Sequence, residues 1–447
     1  MKGDKEPEKF LNEKRLHKSL KRKRLIEQRS GSTRVAGKGP GPRNLFFTDS
    51  LIGFVARGIG DTYRQKVNYP TIAIPERFSI ISDPDAVIGT LNELVGPAVY
   101  SRHFSGIFID HSNVVEYDLA AEYVLGTIAS EIQRTYRMAR KPIRFIGRFP
   151  SNIAERRLLT AIGIVKLLGA SHNDWTTQMN AGDLQIFQAH RRQGDEEIAF
   201  GSRDRKSNEL VKFVDHIDNC LRYNGRALSP FGTESLATYT GEVLANAEEH
   251  SKRGEWLLAG YLDNSTDEHM CEIVVVSFGD TFAESFRRLP LHSYAWIKVQ
   301  PYLDAHVAKK IFSPKWEIDD LLALVALQGG VSCKNTGPYD TRGKGTIDLI
   351  RFFEEMHREC TSGSQSKCEM AIITGRTYIK FDGTHSLRQD STGRDVIAFN
   401  DSNTLEDAPD PKYVRRLANK FPGTIISMRF SLQPKFTQPA ATQDELT

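Results

Sequence analysis

No stretch of this 447-residue sequence stays apolar for long. The longest uncharged apolar runs, "IVVV" and "LLALVAL", fall far short of the roughly 20 residues that span a bilayer, and no apolar segment follows the charged N-terminus to act as a secretion signal. The chain is therefore expected to be soluble and cytoplasmic, with no membrane partner. Cysteine is scarce as well. Cys220, Cys271, Cys333, Cys360 and Cys368 form no C-x-x-C pair and have no histidine at zinc-ligand spacing. That argues against a disulfide framework and a structural zinc site, and leaves reduced, mostly structural thiols. Internal repeats are lacking, and so is the G-x-x-x-x-G-K-[ST] phosphate loop. What is present is 39% hydrophobic residues, enough to fold two or three domains of about 100–200 residues each.

The net charge of +4 hides an asymmetry. Residues 1–43 hold 14 Lys/Arg against 5 Asp/Glu, a local +9 that leaves −5 for the rest. "KRLHKSLKRKRLIEQR" suits a basic helix that touches phosphates, nucleic acid or an acidic partner, or else a solvated arm, and "GSTRVAGKGPGPRN" reads as a flexible linker behind it.

Past the linker, "YPTIAIPERFSII" has β character and "DPDAVIGTLNELVG" is a helix opened by an aspartate cap and a proline. A regular alternation follows. "SGIFIDHSNVV" is a strand, "YDLAAEYVLGTIASEIQRTYRMA" a helix, "KPIRFIGRFP" a strand, and "SNIAERRLLTAIGIVKLLG" a helix with Ser151 at its cap. This βαβα order predicts an α/β domain over residues 44–200. It resembles a STAS domain, the small module of anti-sigma-factor antagonists. The resemblance implies a phosphorylatable serine after the aspartate that opens the long helix, but Asp118 is followed here by Leu119 and Ala120, which favours a scaffold over a phospho-switch. The polar stretch "RRQGDEEIAFGSRDRKSNE" marks the expected domain boundary.

In "TGEVLANAEEHSKRGEW", Glu242, Asn246 and His250 stand at steps of four in a helix expected to start near "GTES", with Thr233 or Ser235 as cap. Leu236, Tyr239, Val243 and Ala247 form its buried stripe, with Glu242 and Asn246 on one flank. A carboxylate and an amide at the edge of a core must bond to protein, water, metal or ligand, so a closed polar cluster and a binding site both remain open. Downstream, "CEIVVVSFGDTF" is a strand that ends abruptly at Gly279. "DTRGKGTIDLIRFFEEM" sets Gly343 and Gly345 around Lys344 before an amphipathic helix led by Thr346. Glycines that let the backbone approach an anion, free helix N–H groups and one lysine make a phosphate cradle in principle, or a plain turn.

The order of E-x-x-x-N-A helix, glycine-ended strand, G-x-G before a helix, hairpin "MAIITGRTYIKFDG" and late strand "FPGTIISMRFSL" resembles the GHKL ATPases. These include type II topoisomerase subunits, histidine kinases, MutL-type repair proteins and anti-sigma-factor kinases. The resemblance covers roughly residues 205–433. It implies an α/β (α+β) sandwich over residues 201–435, with a mixed sheet covered by helices on one face and a C-terminal tail over 436–447. Asn246 would ligate Mg²⁺ on ATP, and Glu242 would be the general base, with Glu249 as a rival. Gly343, Lys344, Gly345 and Thr346 would contact phosphate. Ser277 stands where the family has its adenine-binding aspartate, Gly279 matches the first glycine of that motif, and Thr281 replaces the second. Asp280 is a substitute only under a register slip. Thr424 would reach the base, and the segment with "EIDDLLALVALQGG" and "VSCKNTGPYDTR" resembles an ATP lid. The implied function is a slow Mg-ATP hydrolysing switch acting on a partner or a dimer. A serine/threonine protein kinase, a nucleic-acid-associated clamp or defence factor that uses residues 1–43, and a degenerate fold used only for protein contacts are the alternatives.

Overall fold

The computed structural model describes residues 51–59, 69–101, 104–168, 184–191, 202–250, 255–264, 269–337, 345–361 and 368–440. The basic arm, its linker, Gly343 and Lys344 lie outside them, as do the side chains of Glu249 and His250.

The N-terminal half runs α1 (Leu51–Ile59), β1 (Thr71–Ala73), β2 (Arg77–Phe78), α2 (Pro84–Tyr100), β3 (Gly106–Asp110), β4 (Glu116–Tyr117), α3 (Leu119–Met138), β5 (Arg144–Arg148), α4 (Ile153–Ile162), α5 (Ile164–Leu167) and β6 (Leu184–Arg191). The rest runs α6 (Ser202–Arg222), β7 (Arg226–Leu228), α7 (Pro230–His250), β8 (Trp256–Asp263), β9 (Met270–Phe278), α8 (Phe282–Arg287), α9 (Tyr294–Ala308), α10 (Ile318–Val325), α11 (Gly345–Thr361), β10 (Glu369–Thr374), β11 (Thr377–Phe381), β12 (Arg388–Gln389), β13 (Asp395–Val396), β14 (Val414–Arg416), β15 (Gly423–Ser431) and β16 (Thr437–Pro439). Among the described residues no helix is long and apolar enough to cross a membrane.

β1, β3 and β5 form a parallel sheet in the order β1-β3-β5, and α2 and α3 supply the crossovers. The helix caps follow the sequence. Asp83 accepts the Ala86 N–H, with Pro84 behind it, and Asp118 accepts the Ala121 N–H. The expected third helix breaks in two at Gly163, and Asn152 takes the cap position instead of Ser151, its carbonyl accepting the Arg156 N–H.

The second sheet has seven strands in the order β14-β11-β10-β15-β9-β8-β6, and every pairing in it is antiparallel. It is therefore not the mixed sheet that the sequence led us to expect. Its edge strand β6 comes from before residue 200, so the sheet draws on both halves of the chain. The polar boundary stretch does not end the first unit cleanly either, since its last residues begin α6. Nor do residues 437–439 belong to a tail: they form β16, which pairs with β7 just before α7.

Both faces of the large sheet are covered. Leu258, Ile273, Val275, Met370, Ile372, Ile426 and Met428 belong to a core shared with α6, α7, α10 and α11. Their alternates Leu257, Ala259, Val274, Val276, Ile373 and Ile425 belong to a core shared with α2 and α3. The uninterrupted run "IVVV" is thus a strand buried on both sides. A polar seam joins the layers. Glu272 of β9 accepts the Leu119 N–H through Oε2 at 2.7 Å and pairs with Arg429 of β15, while Ser79 Oγ donates to Asp118 Oδ2 at 2.7 Å. Burial, with the Glu272 carboxylate nearby, pushes the Asp118 carboxyl up to about 6.

Candidate functional site

α7 starts earlier than its sequence suggested. Ser229 Oγ accepts the Gly232 N–H at 3.0 Å and Pro230 fills the first helical position, so Ser229, not Thr233 or Ser235, is the cap. Ser229 Oγ also donates to the Lys435 carbonyl, and Gly232 lies so close to the Phe436 carbonyl that a side chain there would collide with it. Leu236, Tyr239, Val243, Leu244 and Ala247 are buried against the sheet, as the periodicity requires. Tyr239 stacks on Phe352 of α11 with ring centroids 4.5 Å apart, and Phe352 meets Phe430 of β15 edge-on at 5.9 Å. These rings fasten α7 and α11 side by side on the sheet.

The start of α11 is thereby brought onto the polar flank of α7. A Cβ added to Gly345 would strike Glu242 Oε2 and lie 3.3 Å from Asn246 Nδ2. Only a glycine lets the first turn of α11 approach both side chains so closely. Thr346 follows directly, and the first-turn N–H groups of a helix, which have no partner within the helix itself, are those an anion would meet. Glu242 and Asn246 are half-buried. The side chain of His250, like Gly343 and Lys344, lies outside the description.

A second group of predicted residues meets at one end of the sheet. Ser277, next to last in β9, is directly opposite Thr424 of β15, which is opposite Thr374, the last residue of β10. By strand alternation all three face the side that carries α7 and α11, and all are buried. Thr424 Oγ1 donates to Thr374 Oγ1 at 3.1 Å, and Thr374 also accepts the Phe282 N–H at 3.0 Å. The row continues outward through Thr377, whose hydroxyl donates to the buried Asp320 carboxylate at 2.8 Å, and Arg416 pairs with the same carboxylate at 3.1 Å. α7 lies at this end too. It leads through residues 251–255 into β8, whose first residue, Trp256, is opposite Ser277.

The segment after β9 departs from the sequence expectation in an informative way. Gly279 ends the strand with φ +154°, its N–H bonded to the Pro422 carbonyl at 3.2 Å. Thr281 does not sit in a glycine-like loop. It is the N-cap of α8, accepting the Glu284 N–H while the Glu284 carboxylate accepts the Thr281 N–H. Asp280 is ion-paired with Arg288, so no register slip offers it to a ligand. α10, expected in a lid, is instead built into the core by Leu321, Leu322, Leu324 and Val325.

Sequence reading missed Thr374 and Asp320. Thr374 stands beside Gly375 in the β10–β11 turn, a local signal for a hairpin but not for the strand that pairs on its other side. Leu119, where an antagonist-like serine would stand, is buried with its N–H on Glu272, which closes that position to modification. The structure thus brings Glu242, Asn246, Gly345 and Thr346 together, gathers Ser277, Gly279 and Thr424 at the same end of the sheet, and is silent on Gly343, Lys344 and His250. No family model, curated protein or solved structure matches the chain.

Proposed function

We propose that this chain is a GHKL-type Mg-ATP-binding protein that hydrolyses ATP slowly and passes its nucleotide state to a partner or a second copy. The observation that carries this reading is the close approach of Glu242 and Asn246 to Gly345, where an added Cβ would meet both side chains. A helix start, a carboxylate and an amide converge there, and the sequence puts Lys344 one residue away.

The donors fit the group they are proposed to hold. Asn246 offers an amide oxygen, as suits a hard cation that keeps most of its waters. Bound there, magnesium would neutralise phosphate charge. The chain's own residues do the rest. The start of α11, with Gly343, Lys344, Gly345 and Thr346, binds and orients the phosphates, and Glu242 holds a water and takes its proton. Base recognition falls to the hydroxyls of Ser277 and Thr424, backed by Thr374, because Asp280 is committed to Arg288. Hydroxyls both donate and accept, and they carry less charge assistance than an aspartate.

The test is phosphate release beside nucleotide binding. Glu242→Ala is expected to keep Mg-ATP binding and to lose turnover by about 100-fold or more, the usual worth of a positioned base. Undiminished phosphate release by that variant would remove Glu242 from the chemistry. Phosphate transfer from ATP to a protein hydroxyl in place of water would favour the kinase alternative, whose acceptor must then be another protein.

A further inference from the structure

The outer strand of the small parallel sheet, β5, has a free edge. It pairs with β3, and among the described residues no strand pairs on its other side. Arg144 donates its N–H to the Ser105 carbonyl at 3.1 Å and the Arg148 carbonyl accepts the His111 N–H at 3.0 Å, so the backbone groups of the alternate residues Phe145 and Gly147 turn outward. Side chains alternate as well. Arg144, Ile146 and Arg148 stand on an open face of the sheet with Thr71 and Ala73, all exposed, although parallel sheets are ordinarily covered on both sides. Phe145 and Gly147 face α4 and α5, where a pocket of about 270 Å³ is lined by Ile109, Leu159 and Ile164 and by every residue from Phe145 to Phe149. Lining by strand residues of both faces puts this pocket along the free edge. Its volume, below the roughly 300–1,000 Å³ of small-molecule sites, suits an inserted side chain better than a whole cofactor.

The charge around this edge is of one sign. Between Glu131 and Glu155 the sequence has six Lys/Arg and no Asp/Glu, and Arg134, Arg137, Arg140, Lys141, Arg144 and Arg148 are all exposed. Arg134 pairs with Glu131, and Arg148 pairs with Asp110 at 3.5 Å, which leaves the rim net positive. Like charge keeps two β5 edges apart, so a second copy pairing edge to edge is not the occupant. We propose that β5 receives an acidic segment of a protein partner as an added strand. Its main chain bonds to Phe145 and Gly147, its carboxylates lie beside Arg144 and Arg148, and an apolar side chain between them enters the pocket. The period of two makes these demands compatible, since successive side chains of an added strand fall on the open face and on the pocket side in turn. Asp110 lies one strand further in, two strand spacings or about 9–10 Å from the added chain, and does not oppose its carboxylates closely. A nucleic acid would match the charge but has no row of amide groups for the edge.

The probe is an end-capped, fluorescently labelled peptide of about seven residues, a usual strand length, that alternates glutamate with leucine or phenylalanine; its binding to the full chain is read by anisotropy. Residues 1–43 carry a local +9 and attract any polyanion, so the readout is a comparison of peptides of equal charge. The same peptide N-methylated at every residue keeps its carboxylates and apolar groups but cannot pair with an edge, and a peptide of the same composition with its glutamates in one block loses the alternation. Saturable binding of the first peptide is expected, with both controls weaker by about tenfold or more. Arg144→Glu, an exposed change whose folding melting curves check, is expected to weaken the first peptide about fivefold or more and to strengthen a version with lysine in place of glutamate. No saturation at about 1 mM peptide, equal binding of the N-methylated peptide, or unchanged affinity in a folded Arg144→Glu chain would overturn the proposal. So would a single-stranded oligonucleotide that binds more tightly than the peptide and loses that affinity in Arg144→Glu, which would give this surface to nucleic acid.

Discussion

Two residues give sharp tests. At Gly345, an added methyl meets the far end of a flexible glutamate rather than backbone, so the fold can yield at little expense. Gly345→Ala is therefore expected to lower stability by less than about 1 kcal/mol in urea titration while pushing Glu242 aside and cutting turnover at least about tenfold. Alanine's better helix propensity offsets part of that loss. Asp118 gives a pH signature. Its carboxyl is raised from 3.8 to about 6 by burial and the Glu272 carboxylate, so the folded chain holds that proton more tightly than the unfolded chain. Its contribution favours folding below about pH 4, fades as pH rises from 4 to 6, and is gone above. The sum is about 2–3 kcal/mol. In urea titrations, wild type minus Asp118→Asn should lose that margin between pH 4 and 7. A constant difference would show that the carboxyl is not raised. Asp118 was legible in the sequence as a cap but not as a buried acid, because Glu272 and Arg429 reach it from 154 and 311 residues away in the chain.

Among the elements, the strand ends at β9 and β15 are the most constrained. Gly423 has φ +152° and lies directly against the Ser277 carbonyl and Phe278 Cα, so a side chain there must displace backbone. Gly423→Ala is expected to destabilise by about 2–4 kcal/mol, the cost of strain with overpacking, and its melting temperature should fall well below that of Gly345→Ala. Helices with caps and strands with β-branched runs were readable locally: α2, α3, β9 and the β10–β11 hairpin stand where their patterns put them. The misreadings share one physical cause. The core decides between a covering helix and a mobile one, and α10 has apolar residues on enough sides to be buried, so its pattern fits both. Likewise Glu242 and Asn246 were visible on their helix, whereas Thr374 entered the hydroxyl row only through antiparallel registers that no local pattern carries.

At the scale of the whole molecule, the large sheet is shared property. Its two faces feed two apolar cores, one with the C-terminal helices and one with α2 and α3, and its edge strand β6 precedes residue 200. One cooperative thermal transition is expected, with calorimetric and van't Hoff enthalpies that agree. A chain beginning at residue 202 would expose Leu257, Ala259, Val274, Val276, Ile373 and Ile425 and is expected to aggregate. Independent unfolding of two halves would contradict the shared core. This architecture also ties the nucleotide reading to the layer below, since β9 carries both Ser277 on one face and Glu272, which holds the start of α3, on the other. The most direct test of the central proposal is calorimetric titration of Mg-ATP into the wild type and Asn246→Ala. Saturable binding by the wild type, weakened about tenfold or more by the alanine, is expected from an amide that ligates the metal; no saturation at millimolar Mg-ATP, or equal binding by both proteins, would contradict it.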